Sequence, residues 1–435
     1  MKEIGKRDFC AGLILFSAYF LIGLPLYASN KLLDYIKIIG SINIFHILLG
    51  IAIVCILMVS LKSGNGIKVM KFDLFVIVFV AILIIQVFVG TEKNYSQTIL
   101  LRDCNFYFFP IMIYVSFRWL FEKYKIDIYT IENFFLSAQA VCAVLNLVMY
   151  LTRSWSFWGI SSYANGRYGG SYMGAFIFTS GYAVYLLINH IEYFSRTFLY
   201  GYLLIGFIGV LLGQSRTLLI FSICSIATAL IVSARQTGKK KLNKKKLLIL
   251  LLSIAFGLFL IVALLSSSAP IVERLSSFSD ISSDSSFLIR VGMFERNICL
   301  VRQEPFGVGL GYEFGTYDAM GNQWGDMTTA FVDCSYLTIA VKLGVIAMIV
   351  YLGLTILPIV IFRKNYRNIR DNLFHYVYLS FLLGLVFSTL LSAQSLNAYA
   401  SSTIIWILIA YVITYRVKSE NMVPIKMKIN YKVGK

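Results

Sequence analysis

Charged side chains make up only 14% of this 435-residue chain, against about a quarter in a soluble globular protein. That shortfall excludes an ordinary water-soluble domain. Histidine occurs three times, as His46, His190 and His375. There is no CxxC pair, no HExxH and no clustered ligand set, so a zinc centre is not encoded. Walker A and GxSxG sequences are also missing, which removes a nucleotide-cradling loop and a hydrolase nucleophile elbow. Neither a metal nor a cofactor is expected. No internal repeat is present, and the single biased segment is a lysine-rich loop. Of the seven cysteines, Cys10, Cys55, Cys142 and Cys224 fall in apolar runs as small packing residues. Cys104 lies near the level of a polar stretch that contains Cys299 and Cys334. A Cys299–Cys334 disulfide is open on sequence grounds, but free thiols are the expectation.

Apolar residues supply the rest: 58% of the chain is hydrophobic, in recurring runs of roughly 18 or more residues that can cross a bilayer. Backbone groups in lipid must be satisfied within the segment, so the fold class is an all-α polytopic membrane protein, a single integral domain over 1–435. About twelve spans are read, at 9–28, 42–60, 72–90, 104–121, 131–151, 171–190, 197–213, 216–233, 247–266, 335–362, 373–392 and 397–415. No A-x-A site follows the first, which reads as a retained anchor. The net charge of +18 sits in short loops and tails, most densely in ARQTGKKKLNKKK after span eight. That is the positive-inside pattern, not a nucleic-acid-binding face. It places both termini in the cytoplasm.

Residues 267–334, between spans nine and ten, form one large external loop. Over 267–332 it carries four arginines against eight carboxylates, a net charge of −4. Phe287, Val291, Phe294, Ile298 and Val301 recur at three- and four-residue intervals, the apolar stripe of an amphipathic helix. Arg290 is off that stripe. Pro305 stops the helix, and Gly307, Gly309 and Gly311 permit a tight turn and close backbone approach to another group. Residues 152–170 form a second external segment, in which Arg153 and Arg167 stand among Trp155, Phe157, Trp158, Tyr163 and Tyr168. Sugar stacking and an interfacial aromatic belt both account for it.

Five arginines, Arg102, Arg153, Arg167, Arg216 and Arg290, fall at the external face. A guanidinium binds phosphate oxygens bidentately and keeps its charge, so the set suits an anionic lipid headgroup, above all a diphosphate. Pairing with loop carboxylates or snorkelling to headgroups is the alternative for each. Asp333 reads either as a general base toward a sugar hydroxyl or as the N-cap of the next helix. Lys342, in that helix, either snorkels or neutralises a substrate oxygen. His46 is the one histidine near the outer side, and packing is its expected role.

Four marks then resemble the bacterial O-antigen polymerase and O-antigen ligase superfamily, in its order. They are Arg167-Tyr-Gly-Gly170, Ser215-Arg216 opening a span, Arg290 followed by Glu304-Pro-Phe-Gly-Val-Gly-Leu-Gly311, and Asp333-Cys-Ser-Tyr-Leu337 with Gly344. The resemblance covers roughly 160–345 and implies a fold like the metal-independent membrane glycosyltransferases (GT-C-like). It implies an undecaprenyl-diphosphate-linked glycan as donor and attack on the anomeric carbon with inversion. Arg216, Arg290 and Asp333 would be catalytic, with Arg102, Arg153, Arg167, Gly309, Tyr336 and Lys342 binding substrate. The reading is polymerisation of repeat units into O-antigen (of lipopolysaccharide), capsular polysaccharide or exopolysaccharide at the outer face of the cytoplasmic membrane. Membrane lipid, a chain-length regulator and a flippase would be the partners. Asp333 and Cys334 stand where a ligase carries histidine and asparagine, which tilts the reading from ligase to polymerase. A lipid-linked glycan transporter is the non-enzymatic alternative.

Overall fold

A computed structural model describes residues 6–23, 37–39, 42–63, 69–151, 162–164, 167–169, 174–212, 216–236, 285–317, 323–366, 372–392, 394–397 and 399–419. The chain is nearly all helical. In order, the helices are α1 (Lys6–Gly23), α2 (Ile44–Ser63), α3 (Lys71–Glu92), α4 (Gln97–Tyr124), α5 (Ile128–Leu151), α6 (Phe176–Asn189), α7 (Arg196–Leu212) and α8 (Arg216–Gln236). They continue with α9 (Ser285–Gln303), α10 (Ser335–Leu343), α11 (Val345–Tyr366), α12 (Asn372–Val386), α13 (Gln394–Asn397) and α14 (Tyr399–Ser419). Each expected span coincides with a helix except 247–266, which lies outside the described residues. Among the described residues, seven helices are long and apolar enough to cross a membrane, and α6, α7 and most of α14 are shorter apolar helices. This is an all-α polytopic membrane protein with, among the described residues, three small antiparallel hairpins, β1–β2 (37–39, 42–43), β3–β4 (162–164, 167–169) and β5–β6 (314–317, 323–329).

Helix ends follow local chemistry. The backbone N–H of Met70 donates to Asp73 Oδ2 at 2.7 Å, fixing the first turn of α3, an acid at a helix N-terminus. α4 ends where Lys125 adopts a left-handed conformation (φ 51°) and donates its N–H to Phe121 O. At the same end of the bundle Arg118 Nη1 meets Asp73 Oδ1 at 3.1 Å, and Tyr114 Oη donates to that oxygen at 2.6 Å. α4 forms the centre: its Tyr114 and Phe121 pack edge-on against Trp406 and Tyr411 of α14.

Three expectations change. The span read as 335–362 is two helices, broken at Gly344, whose φ of 93° no L side chain adopts comfortably. The apolar stripe of α9 is its packing face only in part: Ile298 and Val301 pack with buried Met293 against a small core, whereas Val291 and Phe294 are 39% and 45% exposed. Hydrophobic periodicity alone marks an apolar face, not which neighbour covers it. Cys224 is exposed on α8, unlike buried Cys10 and Cys142.

Candidate functional site

The break in α10–α11 organises one end of the molecule. Ending a helix inside an apolar environment leaves carbonyls without partners, and the glycine turn after α9 supplies them. Val308 N donates to Val341 O at 2.8 Å and Gly309 N to Lys342 O at 3.0 Å, while Val345 N, opening α11, donates to Pro305 O at 2.9 Å. Gln86 of α3 completes the set: its side-chain Nε2 donates to Phe306 O at 2.7 Å, and its backbone carbonyl accepts from Leu310 N at 3.1 Å. Gly307, Gly309 and Gly311 have φ of 95°, 98° and 92°. A Cβ on Gly309 would lie 2.8 Å from Gly90 N, and one on Gly307 would lie 2.7 Å from Gly344 N. The expected close backbone approach is therefore made to α3 and to the α10–α11 joint. Gly309 directs its amide to the protein's own carbonyl.

Beneath the turn lies a charge network. Lys342 Nζ meets Asp103 Oδ2 at 2.5 Å, both side chains fully buried, with Phe314 and Phe331 rings 5.5 and 5.4 Å from the ammonium. The same carboxylate accepts from Gly311 N at 2.9 Å. Arg102 Nη2 pairs with Glu313 Oε1 at 3.1 Å, and Thr328 Oγ1 donates to Glu313 Oε2 at 2.7 Å. Burial disfavours the Glu313 carboxylate, but the Thr328 hydroxyl, the Arg102 guanidinium and Lys342 outweigh it and hold its pKa below the ordinary value. Lys342 thus neither snorkels nor opens on a cavity in this conformation, and Arg102 joins α4 to the β5–β6 hairpin.

At the opening of α10, Arg290 Nε donates to Asp333 Oδ2 at 2.6 Å. The helix N-cap is Cys334, not Asp333, and makes no side-chain cap bond. The Asp333 carboxylate is turned to Arg290 instead. This pair is 56% and 52% exposed. An exposed ion pair contributes about 0–1 kcal/mol, so an incoming anion can take Arg290 at little cost. Below it, Ser335 Oγ donates to Ser388 O at 3.1 Å and lies 2.6 Å from Ser395 Oγ. Tyr336 Oη lies 2.8 Å from Thr355 Oγ1. Ser388 sits in a π-helical turn (Phe387–Leu391) that extends α12, a distortion often found at functional sites.

Arg216 is the first residue of α8. Phe221, one turn further on, packs on Phe387 at 5.6 Å, so Arg216 starts its helix at the same end as Ser335 and Asp333. Its side chain lies outside the described residues, as do Arg153 and the side chain of Arg167, whose backbone is in β4. His46 is buried against the Phe109 ring, and Cys299 and Cys334 are free thiols. Sequence reading did not single out Asp103, Gln86 or Ser335. Asp103 and Gln86 each carried a signal, a polar group inside an apolar run.

The fold and this end together define a polytopic membrane protein with an arginine–carboxylate pair beside a broken helix. Residues 201–352 match the model of the O-antigen ligase family, which supports the resemblance to the O-antigen ligase and polymerase superfamily over that part of the chain. Arg216, Arg290, Gly309, Asp333, Tyr336 and Lys342 all fall within the matched stretch; Arg102, Arg153 and Arg167 precede it. A search among curated proteins found no match.

Proposed function

We propose that the chain is a glycosyltransferase of the metal-independent membrane type that polymerises undecaprenyl-diphosphate-linked oligosaccharide repeat units at the outer face of the cytoplasmic membrane. The observation that carries this is the 2.6 Å contact between Arg290 and Asp333, an exposed cation and carboxylate within the stretch that matches the O-antigen ligase model. Arg290, with Arg216 from the same end, would hold the donor diphosphate. A hydroxyl of the second glycan attacks the anomeric carbon as the bond to the diphosphate oxygen breaks. The electron pair leaves on the phosphate, where guanidinium charge stabilises it. The hydroxyl proton passes to Asp333. Diphosphate binding at Arg290 would release Asp333 from its ion pair, so the base becomes available when donor is present. Gly309, Lys342 and Arg102 take framework roles, holding the broken helix on which Asp333 sits. Tyr336 is placed beside it, and Arg153 and Arg167 are assigned to the glycan.

The match to the O-antigen ligase family favours a second reading, transfer of a finished glycan to a different acceptor. Incubating the purified protein with a lipid-linked repeat unit separates the readings. A ladder of products supports polymerase, a single transfer product to an added acceptor supports ligase, and no product with reconstituted substrate movement supports transport.

A further inference from the structure

α9 has a second working flank. Arg296 follows Arg290 by six residues, which turns it by about 120° around the helix axis and carries it about 9 Å toward the C-terminus. On that flank α9 and the start of β5 enclose a cavity of about 360 Å³, lined by Arg296, Asn297, Cys299, Gln303, Tyr312 and Phe314 among others. Its size is that of a small-ligand site. The lining contains no carboxylate and a single cation, unsuited to a metal ion and poor for a diphosphate. It does offer the Arg296 guanidinium, the exposed Gln303 carboxamide and, as a wall, the half-buried Tyr312 ring, over a floor of buried Asn297 and Phe314. Planar amide and guanidinium groups match the paired hydroxyls of a sugar ring, and aromatic faces match its C–H faces. The wall is rigid: Tyr312 packs against Phe314 at 5.3 Å and against Tyr95 at 6.2 Å, and Tyr95 Oη donates to Val308 O at 3.3 Å. A wall already ordered by the glycine turn loses little entropy on binding.

We propose that this groove between α9 and β5 is a binding site for the neutral sugar portion of an oligosaccharide, separate from the Arg290–Asp333 pair. It rests on the reading that this end of the molecule handles glycans, and it assigns phosphate and sugar to different flanks of one helix.

The test is binding to full-length protein in lipid nanodiscs. One probe is the neutral oligosaccharide released by mild acid from the surface polysaccharide of the cell that makes this protein; the other is undecaprenyl diphosphate. Arg296→Ala should weaken oligosaccharide binding about tenfold or more, the scale of one lost bond to a charged group. Cys299→Trp, a filling substitution at an exposed position, should block it without disturbing the buried face of α9. Both should leave undecaprenyl diphosphate binding unchanged, and Arg290→Ala should show the opposite pattern. Oligosaccharide binding that survives both groove substitutions overturns the site. So does a wild-type protein that transfers glycan yet shows no saturable oligosaccharide binding. Cys299→Trp-sensitive binding in a protein without transferase activity supports the groove and overturns the transferase reading.

Discussion

At the scale of single residues, exposure separates Arg290 from Arg102. Both pair with loop carboxylates, as the bland reading of each arginine anticipated. Arg102 is 29% exposed and tied into a network with Glu313 and Asp103, whereas Arg290 is 56% exposed with one partner among the described residues. A guanidinium fork bridges two phosphate centres where an ammonium makes a point contact, and charge on the leaving group grows in the transition state. Arg290→Lys should therefore lose about 2–4 kcal/mol of transition-state stabilisation, read as polymer yield at normal expression. The loss should be non-additive with Arg216→Lys, because both act on one group. A near-normal yield in both single variants ends the diphosphate-clamp reading. Asp333→Asn distinguishes two roles. As a base its loss should abolish turnover and leave donor affinity equal or tighter, since Arg290 is then unopposed. As a mere tether for Arg290, Asn should keep appreciable turnover. The sequence alone offered a cap as the rival role, and the structure removes it by placing Cys334 at that position.

At the scale of elements, the glycine turn and the broken helix form one unit. A Cβ at Gly309 would meet α3 backbone at 2.8 Å in addition to φ of 98°, and such backbone strain costs about 1–3 kcal/mol. Gly309→Ala and Gly90→Ala should each lower the yield of folded, inserted protein and the temperature at which detergent-solubilised protein aggregates. Unaltered folding in both would show that the turn yields freely. Removing Asp103 alone strands a buried ammonium, at about 3–5 kcal/mol, so Asp103→Leu should be worse than Asp103→Leu with Lys342→Met. Glu313 makes a pH-dependent tie. Its folded pKa is lowered, so its contribution is present above the ordinary carboxylate pKa and is lost as pH falls through the lower folded value. Thermal stability should drop over that acidic window, and Glu313→Gln should flatten the drop. The glycines and Pro305 announced this turn in the sequence because few residues tolerate positive φ. Its receptor was not legible, because Gln86, Asp103 and Gly344 are far apart in the chain and only folding brings them to 305–311. Helix positions were readable from hydropathy, but a uniformly apolar run over 345–362 hid the break at Gly344. The apolar stripe of α9 was legible, but not that only its later part, Ile298 and Val301, packs on a neighbour while Val291 and Phe294 face outward.

At the scale of the whole molecule, charge divides the two ends of the bundle. Tyr124 Oη donates to Asp8 Oδ1, which joins the end of α4 to the start of α1. Phe362 packs at a tilt against Phe374, bringing Arg363 and Lys364, in the last turn of α11, to the start of α12. The same end holds Lys71 and Lys123. The far end holds Glu304, paired with Lys93, and Glu313 and Asp333, paired with Arg102 and Arg290. Lysine and arginine near span ends resist translocation, while acidic residues contribute little to orientation. The end bearing α1's N-terminus should therefore face the cytoplasm, and α9, the groove and the Arg290–Asp333 pair should face outward. Cys299 supplies a natural reporter, being exposed and free. In a variant retaining Cys299 as its one cysteine, a membrane-impermeant maleimide added to intact cells, with any outer barrier permeabilised, should label it. A cysteine introduced instead at Lys241, in the lysine-rich loop, should label only after the cells are opened. The reverse pattern inverts the molecule and puts Arg290 where no outward-facing lipid-linked donor can reach it, so this single experiment constrains orientation and function together.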